Sequence, residues 1–245
     1  MMPFCFLHLE KAVSTNTYLQ EINEHERARC VVYADEQTAG KGMGTNVWES
    51  EPGLNLTFSM GVNMTFLKAA DQFLLSQAVP LGLLDVLDKR LPSEALSVKW
   101  PNDLYYGNQK LCGILINSTI HGMEMGVSVI GIGLNVNQMC FRDWPTHPIS
   151  MKMILNEEVA LEPLLKQLVD AVDQRIQQLR SPEDVAKIKG DYLNRMYRYH
   201  QWGQFETKDG LVKLFIEGID EFGRLVTLDE SGTTQIFDIK EIKFV

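Results

Sequence analysis

A glycine-rich segment near the N-terminus has the composition of an anion-binding loop. Three glycines alternate in GKGMG at residues 40–44, which Gln37 precedes and Trp48 follows. Backbone N–H groups without side chains can approach an anion closely, and Lys41 adds a positive charge. The segment is not a GxGxxG dinucleotide motif, because Thr45 stands at the third glycine position, and it lacks the GxxxxGK[ST] phosphate-loop pattern. An ordinary flexible surface loop is the alternative.

A second segment, SVKWPNDLYYGNQKLCGILIN at residues 97–117, places a lysine beside a predicted strand. Pro101 ends one strand, and residues 102–103 form a polar turn after it. Lys110 directly precedes the next strand, in which Gly113 indicates the close approach of a neighbour or a ligand. The alternative is a hairpin with an exposed lysine at its mouth.

Two further polar segments lie at the ends of predicted elements. STNTYL at residues 14–19 predicts a helix start, with residues 14–16 as the cap. VIGIGLNVNQ at residues 129–138 predicts the end of an apolar strand that contains two glycines and is followed by Asn135. Taken singly, each segment has a structural explanation.

Apolar patterning predicts the elements that hold these segments. The predicted strands cover residues 30–34, 54–61, 96–100, 112–117 and 125–132. Helical spacing predicts a helix over residues 65–91, kinked or split at Pro80 because proline lacks a backbone donor. A second helix is predicted over residues 161–179, and SPED at residues 181–184 predicts the start of a third, with Ser181 as its cap.

The sequence pattern changes after about residue 200. The turn signals KDG, DEFG and DESG separate short strands at roughly ten-residue spacing, which predicts a small antiparallel barrel. The chain is therefore predicted to be an α+β protein with two domains. A mixed-sheet domain covers residues 1–197, and an all-β domain covers residues 198–245.

Composition narrows the classes of function. The chain has 245 residues, with 23 basic and 32 acidic residues and a net charge of −9, which disfavours a dedicated nucleic-acid surface. No apolar run approaches the roughly 20 residues that span a bilayer, and the N-terminus lacks a secretion signal. The cysteines are scattered without a CxxC pair, which predicts reduced thiols in the cytoplasm rather than a disulfide framework or a zinc site.

In their order and spacing these segments resemble the biotin–protein ligases. The elements STN, QxAGKGxGxxxW, KWPNDLYY…KLCGILIN and GIGLNVN follow one another from about Leu9 to Asn137, and the resemblance continues weakly beyond. It implies ATP-dependent activation of biotin to biotinoyl-5'-AMP and transfer to a lysine of a biotin carboxyl carrier protein. It also implies a class II synthetase-like mixed sheet with helices on one face, followed by an SH3-like barrel.

The resemblance also implies roles for individual residues. Lys110 and Lys41 would be the catalytic cations that offset the charge of the biotin carboxylate and the α-phosphate of ATP. The implied biotin-binding residues are Ser14, Thr15, Asn16, Gln37, Gly40, Lys41, Gly42, Met43, Lys110, Gly113 and Leu115. The implied ATP- and adenylate-binding residues are Lys41, Trp48, Asn102, Asp103, Lys110 and Asn135. A magnesium ion is expected with the nucleotide, with Asp103 as its protein ligand.

The sequence departs from the family pattern in its glycine loop. Met43 and Asn46 stand where arginines are usual, so a looser hold on the adenylate is expected. Some relatives carry an N-terminal DNA-binding domain, but this chain enters the ligase pattern within about ten residues, which predicts a ligase without DNA binding. A monomer and a homodimer both stay open.

Two other functions compete with biotin ligation. A lipoate or octanoate ligase would share the fold and the chemistry, but its usual Arg-Arg-x-Ser-Gly-Gly-Gly stretch is missing. A non-catalytic biotin or adenylate sensor would not need both Lys41 and Lys110. Pyrophosphate exchange with different acids distinguishes the three.

Overall fold

The computed structural model describes residues 3–142 and 147–245. Within these residues the chain forms twelve β-strands and six α-helices. The strands are β1 Cys5–Ala12, β2 Cys30–Gln37, β3 Leu56–Asn63, β4 Leu96–Lys99, β5 Asp103–Tyr106, β6 Gln109–His121, β7 Glu124–Leu134, β8 Trp202–Thr207, β9 Gly210–Ile219, β10 Leu225–Leu228, β11 Thr234–Phe237 and β12 Ile242–Phe244. The helices are α1 Thr15–Glu21, α2 Glu24–Arg27, α3 Phe73–Leu87, α4 Met151–Leu155, α5 Leu161–Gln178 and α6 Pro182–Asn194. Among the described helices, none is long and apolar enough to cross a membrane.

The first sheet has seven strands in the order β1-β2-β3-β7-β6-β5-β4. β1 and β2 are parallel and the other neighbours are antiparallel, which confirms the predicted mixed sheet. Because side chains alternate along a strand, Phe58, Ile114 and Ile132 share one face and join the core with α3, α5 and α6. The alternate positions, such as Ser59 and Gly131, form a face with small side chains.

The short helix α1 packs on this second face of the sheet. Its Leu19 is fully buried in a small cluster with Val32 and Val129. The helix begins as predicted, because Ser14 Oγ accepts a hydrogen bond from the backbone N–H of Thr17 at 3.4 Å. The cap therefore holds the STN segment beside the small residues of the sheet.

Helix α3 differs from the prediction at Pro80. The sequence predicts a helix that is kinked or split at Pro80. The helix continues from Phe73 to Leu87 with Pro80 inside it, so it is not split there, and the kink stays a prediction. Leu83 and Leu84, like most of the helix, are buried in the main core. Burying one leucine contributes about 1.5–3 kcal/mol, so several together offset the roughly 3 kcal/mol cost of an interior proline. The other two predicted helices form as α5 and α6, and Ser181 Oγ caps α6.

The second sheet contains five antiparallel strands in the order β11-β10-β9-β8-β12, as the turn signals predict. Its core includes Phe205, Ile216 and Leu225, and Trp100 from the first part of the chain packs into it. Trp100 Nε1 also donates to the carbonyl oxygen of Gly223 at 2.8 Å. The two sheets are therefore in direct contact, and the domain boundary near residue 198 stays a prediction.

Replacing Gly190 by alanine is expected to stabilise the protein by about 0.5–1 kcal/mol. Gly190 lies inside α6, and a Cβ built there meets no heavy atom within 4 Å. Alanine loses less backbone entropy on folding than glycine. Chemical denaturation measures the change. Gly223→Ala is the control and should destabilise, because Gly223 has φ +83° and its Cβ would lie 2.1 Å from the Phe73 ring. Equal effects of the two variants would contradict the prediction.

Candidate active site

A cavity of about 370 Å³ opens on the small-residue face of the first sheet, between α1, the loop after β2 and the end of β12. The predicted site residues that line it are Ser14, Thr15, Asn16, Gln37, Lys41, Gly42, Met43, Trp48, Asn102, Asp103, Lys110, Gly113 and Leu115. Residues from three of the separate sequence segments thus meet in one cavity, and Gly131 and Gly133 of the fourth line its floor. Their roles in binding stay predictions.

One end of the cavity carries uncharged hydrogen-bonding groups. The backbone N–H of Thr15 donates to Gln37 Oε1 at 2.8 Å, and Thr15 Oγ1 lies 2.9 Å from Ser59 Oγ. Asn16 Nδ2 donates to the Leu115 carbonyl oxygen at 3.5 Å. Thr15, Asn16 and Ser59 are all buried. Sequence reasoning missed Ser59, although strand alternation places it on this face.

The glycine loop folds back on itself as a narrow turn. The N–H of Trp48 donates to the Gly40 carbonyl oxygen at 2.9 Å, and the N–H of Gly42 donates to the Asn46 carbonyl oxygen at 2.8 Å. A Cβ at position 40 would lie 2.3 Å from the carbonyl oxygen of Trp48. Gly40 is not among the described residues that line the cavity. Its glycine serves the geometry of the loop and leads the chain to Trp48.

The ring of Trp48 lies against the sheet at the centre of the site. A Cβ at Gly113 would come within 3.0 Å of the ring, and a Cβ at Gly133 within 2.3 Å. The close approach predicted at Gly113 is therefore confirmed, and the neighbour is an indole. The Nε1 atom of Trp48 is buried and has no hydrogen-bond partner among the described residues. A buried donor without a partner is costly, so Nε1 is a candidate donor to a ligand.

Lys110 and Asp103 form an ion pair beside Trp48. Lys110 Nζ lies 2.7 Å from Asp103 Oδ1, and the two side chains are 21% and 18% exposed. Lys110 is inside β6, which begins one residue earlier, at Gln109. Its ammonium also lies 5.7 Å from the centre of the Trp48 ring. The lysine is thus held at the cavity wall, between an acid and an aromatic face.

Two predicted nucleotide residues make contacts with the backbone. Asn102 Nδ2 donates to the Ile114 carbonyl oxygen at 2.6 Å while the residue still lines the cavity. Asn135 Nδ2 donates to the carbonyl oxygens of Lys110, at 3.4 Å, and Ile149, at 3.1 Å. Asn135 lies outside the lining of the main cavity and instead borders a hollow of about 70 Å³ on the far side of Trp48. Its visible function is to hold the strand that carries Lys110.

The other end of the cavity is rich in positive charge. Its described lining includes five lysines (Lys41, Lys99, Lys110, Lys240 and Lys243) and one acidic residue, Asp103. Lys243 is in β12 of the C-terminal sheet, and Lys240 lies in the turn before that strand. Sequence reasoning missed both of them, because no local pattern links them to the earlier segments. In a chain of net charge −9, this concentration of lysines favours an anionic ligand.

Lys99, the last residue of β4, lies beside two aromatic side chains. Its Nζ donates to the Tyr105 hydroxyl oxygen at 2.9 Å and lies 5.1 Å from the centre of the Phe244 ring. Burial lowers the pKa of Lys99 to about 8, against the opposing effect of Asp103. Lys99 stands in the KWPND segment, so its position in the motif was the available signal.

Residues 10–135 match the family model described as the biotin/lipoate A/B protein ligase family. This match covers more than half of the chain and includes residues of all four segments. The chain belongs to the biotin/lipoate A/B protein ligase family. The family includes ligases for two different acids, so membership leaves the choice between biotin and lipoate to other evidence.

Several proteins that are similar to this chain in sequence or in structure carry the name of a biotin ligase. The chain is 40% identical over 109 residues to chloroplastic biotin–protein ligase 1 of Arabidopsis thaliana, covering 44% of this chain and 29% of the relative. It is 28% identical over 244 residues to the biotin–[acetyl-CoA-carboxylase] ligase of Paracoccus denitrificans, covering 96% and 99%. The biotin protein ligase of Aquifex aeolicus in complex with biotin and ATP superposes with a TM-score of 0.77, at 22% identity, covering 98% and 99% of the two chains.

The extent of these matches differs. The chain spans 29% and 33% of the lengths of the two Arabidopsis relatives that it matches. The likeness to the Aquifex structure establishes the fold, and agrees with a mixed sheet followed by a small antiparallel sheet.

Proposed function

We propose that this protein activates biotin with ATP to form biotinoyl-5'-AMP and then transfers biotin to a lysine of a biotin carboxyl carrier protein. The observation that carries the proposal is a single cavity with an uncharged amide and hydroxyl end and a lysine-rich end, with Lys110 on its wall. Biotin has an uncharged urea ring and a carboxylate, and ATP has a polyanionic chain. The two ends of the cavity match these two kinds of group.

In the first step a biotin carboxylate oxygen attacks the α-phosphorus of ATP. A carboxylate–phosphorus bond forms, and the bond to the pyrophosphate oxygen breaks with the electron pair leaving on pyrophosphate. Two anions meet in this step, so cations must offset their charge. Lys110 would leave Asp103, or its ammonium would contact both Asp103 and the substrates. Lys41 would approach from the exposed loop.

In the second step the amine of the carrier lysine attacks the acyl carbon and AMP leaves. This step needs positioning and exclusion of water more than further acid–base groups. The glycine loop that carries Trp48 and Lys41 borders the cavity and would shield the mixed anhydride. Met43 and Asn46 line the cavity in place of cations, so the expected leakage of adenylate remains a prediction.

Magnesium would enter with the nucleotide as part of the Mg·ATP substrate. Mg²⁺ commonly keeps several waters and binds through one or two carboxylates together with phosphates. Asp103 is the acidic residue in the described lining, and a single carboxylate suits such an ion. The adenine would lie near Trp48, whose far side borders the smaller hollow with Asn135.

Lipoate ligation is the second candidate within the family. The lipoyl ring is a disulfide without strong hydrogen-bonding groups, whereas biotin has a urea with one acceptor oxygen and two N–H donors. The cluster of buried Thr15, Asn16 and Ser59 with half-buried Gln37 therefore favours biotin, because polar groups buried by a ligand without partners are costly.

The test is exchange of labelled pyrophosphate into ATP with biotin, lipoate or octanoate as the acid. Exchange with biotin alone is the expected result, followed by biotin transfer to a purified carrier domain. Exchange with lipoate alone would move the protein to the other branch of its family. No exchange with any acid would support a non-catalytic sensor.

The KM for ATP in this exchange is expected to rise about tenfold from pH 7 to pH 9, because Lys99 loses its charge. With a pKa of about 8, the amine is mostly protonated at pH 7 and mostly neutral at pH 9. The neutral amine attracts phosphate less. Lys99→Met, which has no titrating group, should show a higher KM with a flatter pH profile. The same slope in both proteins would contradict this assignment.

A further inference from the structure

The side-chain amide of Asn16 is held from several sides at the uncharged end of the cavity. Its Nδ2 donates to the Leu115 carbonyl oxygen at 3.5 Å. Its Oδ1 accepts from Asn117 Nδ2 at 3.2 Å and also from Gln20 Nε2. A Cβ at Gly131 would lie 2.9 Å from Asn16 Nδ2, so the amide rests directly on the sheet. Asn16 is 4% exposed, and its orientation is therefore set by protein contacts.

These contacts decide which end of the amide faces a ligand. The Leu115 carbonyl can only accept a hydrogen bond, so the nitrogen of Asn16 must point toward it. The oxygen of Asn16 is occupied by the two donors from Gln20 and Asn117. Because Nδ2 carries two N–H groups and one of them meets Leu115, the other is left for the cavity.

We infer that Asn117 and Gln20 are positioning residues that hold Asn16 as a hydrogen-bond donor toward an uncharged acceptor oxygen of the substrate. The inference rests on the proposed function, in which this acceptor is the urea carbonyl oxygen of biotin. Neither residue is among the described residues that line the cavity. Asn117 follows Leu115 on the same face of β6, and Gln20 lies one turn after Asn16 on α1. They act through Asn16.

The decisive variants replace an amide donor by a carboxylate of the same shape. In Asn117→Asp, and separately in Gln20→Glu, the group beside Asn16 Oδ1 becomes an acceptor, which favours turning the Asn16 amide over. The ligand would then meet an oxygen instead of an N–H. The dissociation constant for biotin alone, measured by calorimetry, should rise about 10- to 100-fold in Asn117→Asp. The KM for ATP in pyrophosphate exchange should stay within twofold.

A pH series separates this role from a merely structural one. At low pH the introduced carboxyl is protonated and can donate to Asn16 Oδ1 again. The ratio of the Asn117→Asp and wild-type dissociation constants should therefore fall as the pH is lowered from 7 to 4, toward the ordinary aspartate pKa of about 3.9. Asn194→Asp is the matched control, since Asn194 is exposed at the end of α6 and should bind biotin normally. Gln20 is exposed, so Gln20→Glu is a second variant that leaves the fold intact.

The outcomes distinguish this inference from the proposed function. If the wild-type protein binds biotin and both Asn117→Asp and Gln20→Glu bind it with the same affinity, the inference is overturned and the proposed function is not. The inference is also overturned if the variants lose biotin affinity to the same extent at every pH and their KM for ATP rises by the same factor. Such a result would indicate general damage to the site. Failure of the wild-type protein to bind biotin would remove the proposed function, and this inference with it.

Discussion

Replacing Lys110 by methionine is expected to lower the kcat of biotin-dependent pyrophosphate exchange by about 100- to 1,000-fold. This is the usual effect of removing one group that stabilises the developing charge of a transition state. Lys110 is mostly buried and borders the cavity between its two ends, so water is a poor substitute for its charge. Methionine keeps the apolar stem against Trp48, which limits the change to the ammonium group.

The variant also leaves Asp103 without its 2.7 Å partner, and this needs a control. An unpaired, mostly buried carboxylate destabilises a fold. Lys110→Met combined with Asp103→Asn removes both charges and should restore stability without restoring exchange. Lys89→Met, at an exposed lysine after α3, should leave exchange unchanged. A folded Lys110→Met protein with kcat within twofold of wild type would remove Lys110 from the catalytic assignment.

Replacing Gly133 by alanine is expected to raise the KM for ATP by at least tenfold, through displacement of Trp48. A Cβ at this position would lie 2.3 Å from Cε2 of the indole and 2.6 Å from Cζ2, too close for any non-bonded contact. Gly133 is the penultimate residue of β7 and is paired with Thr57 of β3 and Gly113 of β6, so its backbone cannot shift without disturbing two neighbouring strands. The ring must therefore move, and the whole glycine loop with it.

A double-mutant cycle tests whether Trp48 transmits this effect. If displacement of the indole is the cause, Trp48→Ala and the double variant Gly133→Ala/Trp48→Ala should have the same KM, because the second change has nothing left to displace. Additive effects would show that Gly133 acts by another route. Gly190→Ala, which makes the same chemical change in open space, should leave the KM for ATP unaltered.

Local patterns predicted most of the fold. The stripe of apolar residues in α5 spans five turns and has a single structural solution, and Ser181 with Pro182 marks the start of α6 unambiguously. The strands around Phe58 and Ile132 follow from apolar runs and alternation. Pro80 shows the limit of this reasoning, because its local penalty was outweighed by the burial of most of α3.

The sequence alone determined the segments that line the candidate site, namely the STN cap, the glycine loop and the segment of Lys110 and Gly113, although Lys110 lies inside β6 and not before it. Those features depend on neighbouring residues, so they can be read from a single chain. Only the tertiary structure decided that Gly133 makes room for Trp48, that Asn117 orients Asn16, and that Lys243 joins the site from a second sheet. Gly133 is 85 positions from Trp48, and Asn117 is 101 positions from Asn16. Lys243 is 144 positions from Lys99, another lysine that lines the cavity. Contacts over such distances arise from how sheets pair and pack, and no local spacing encodes them.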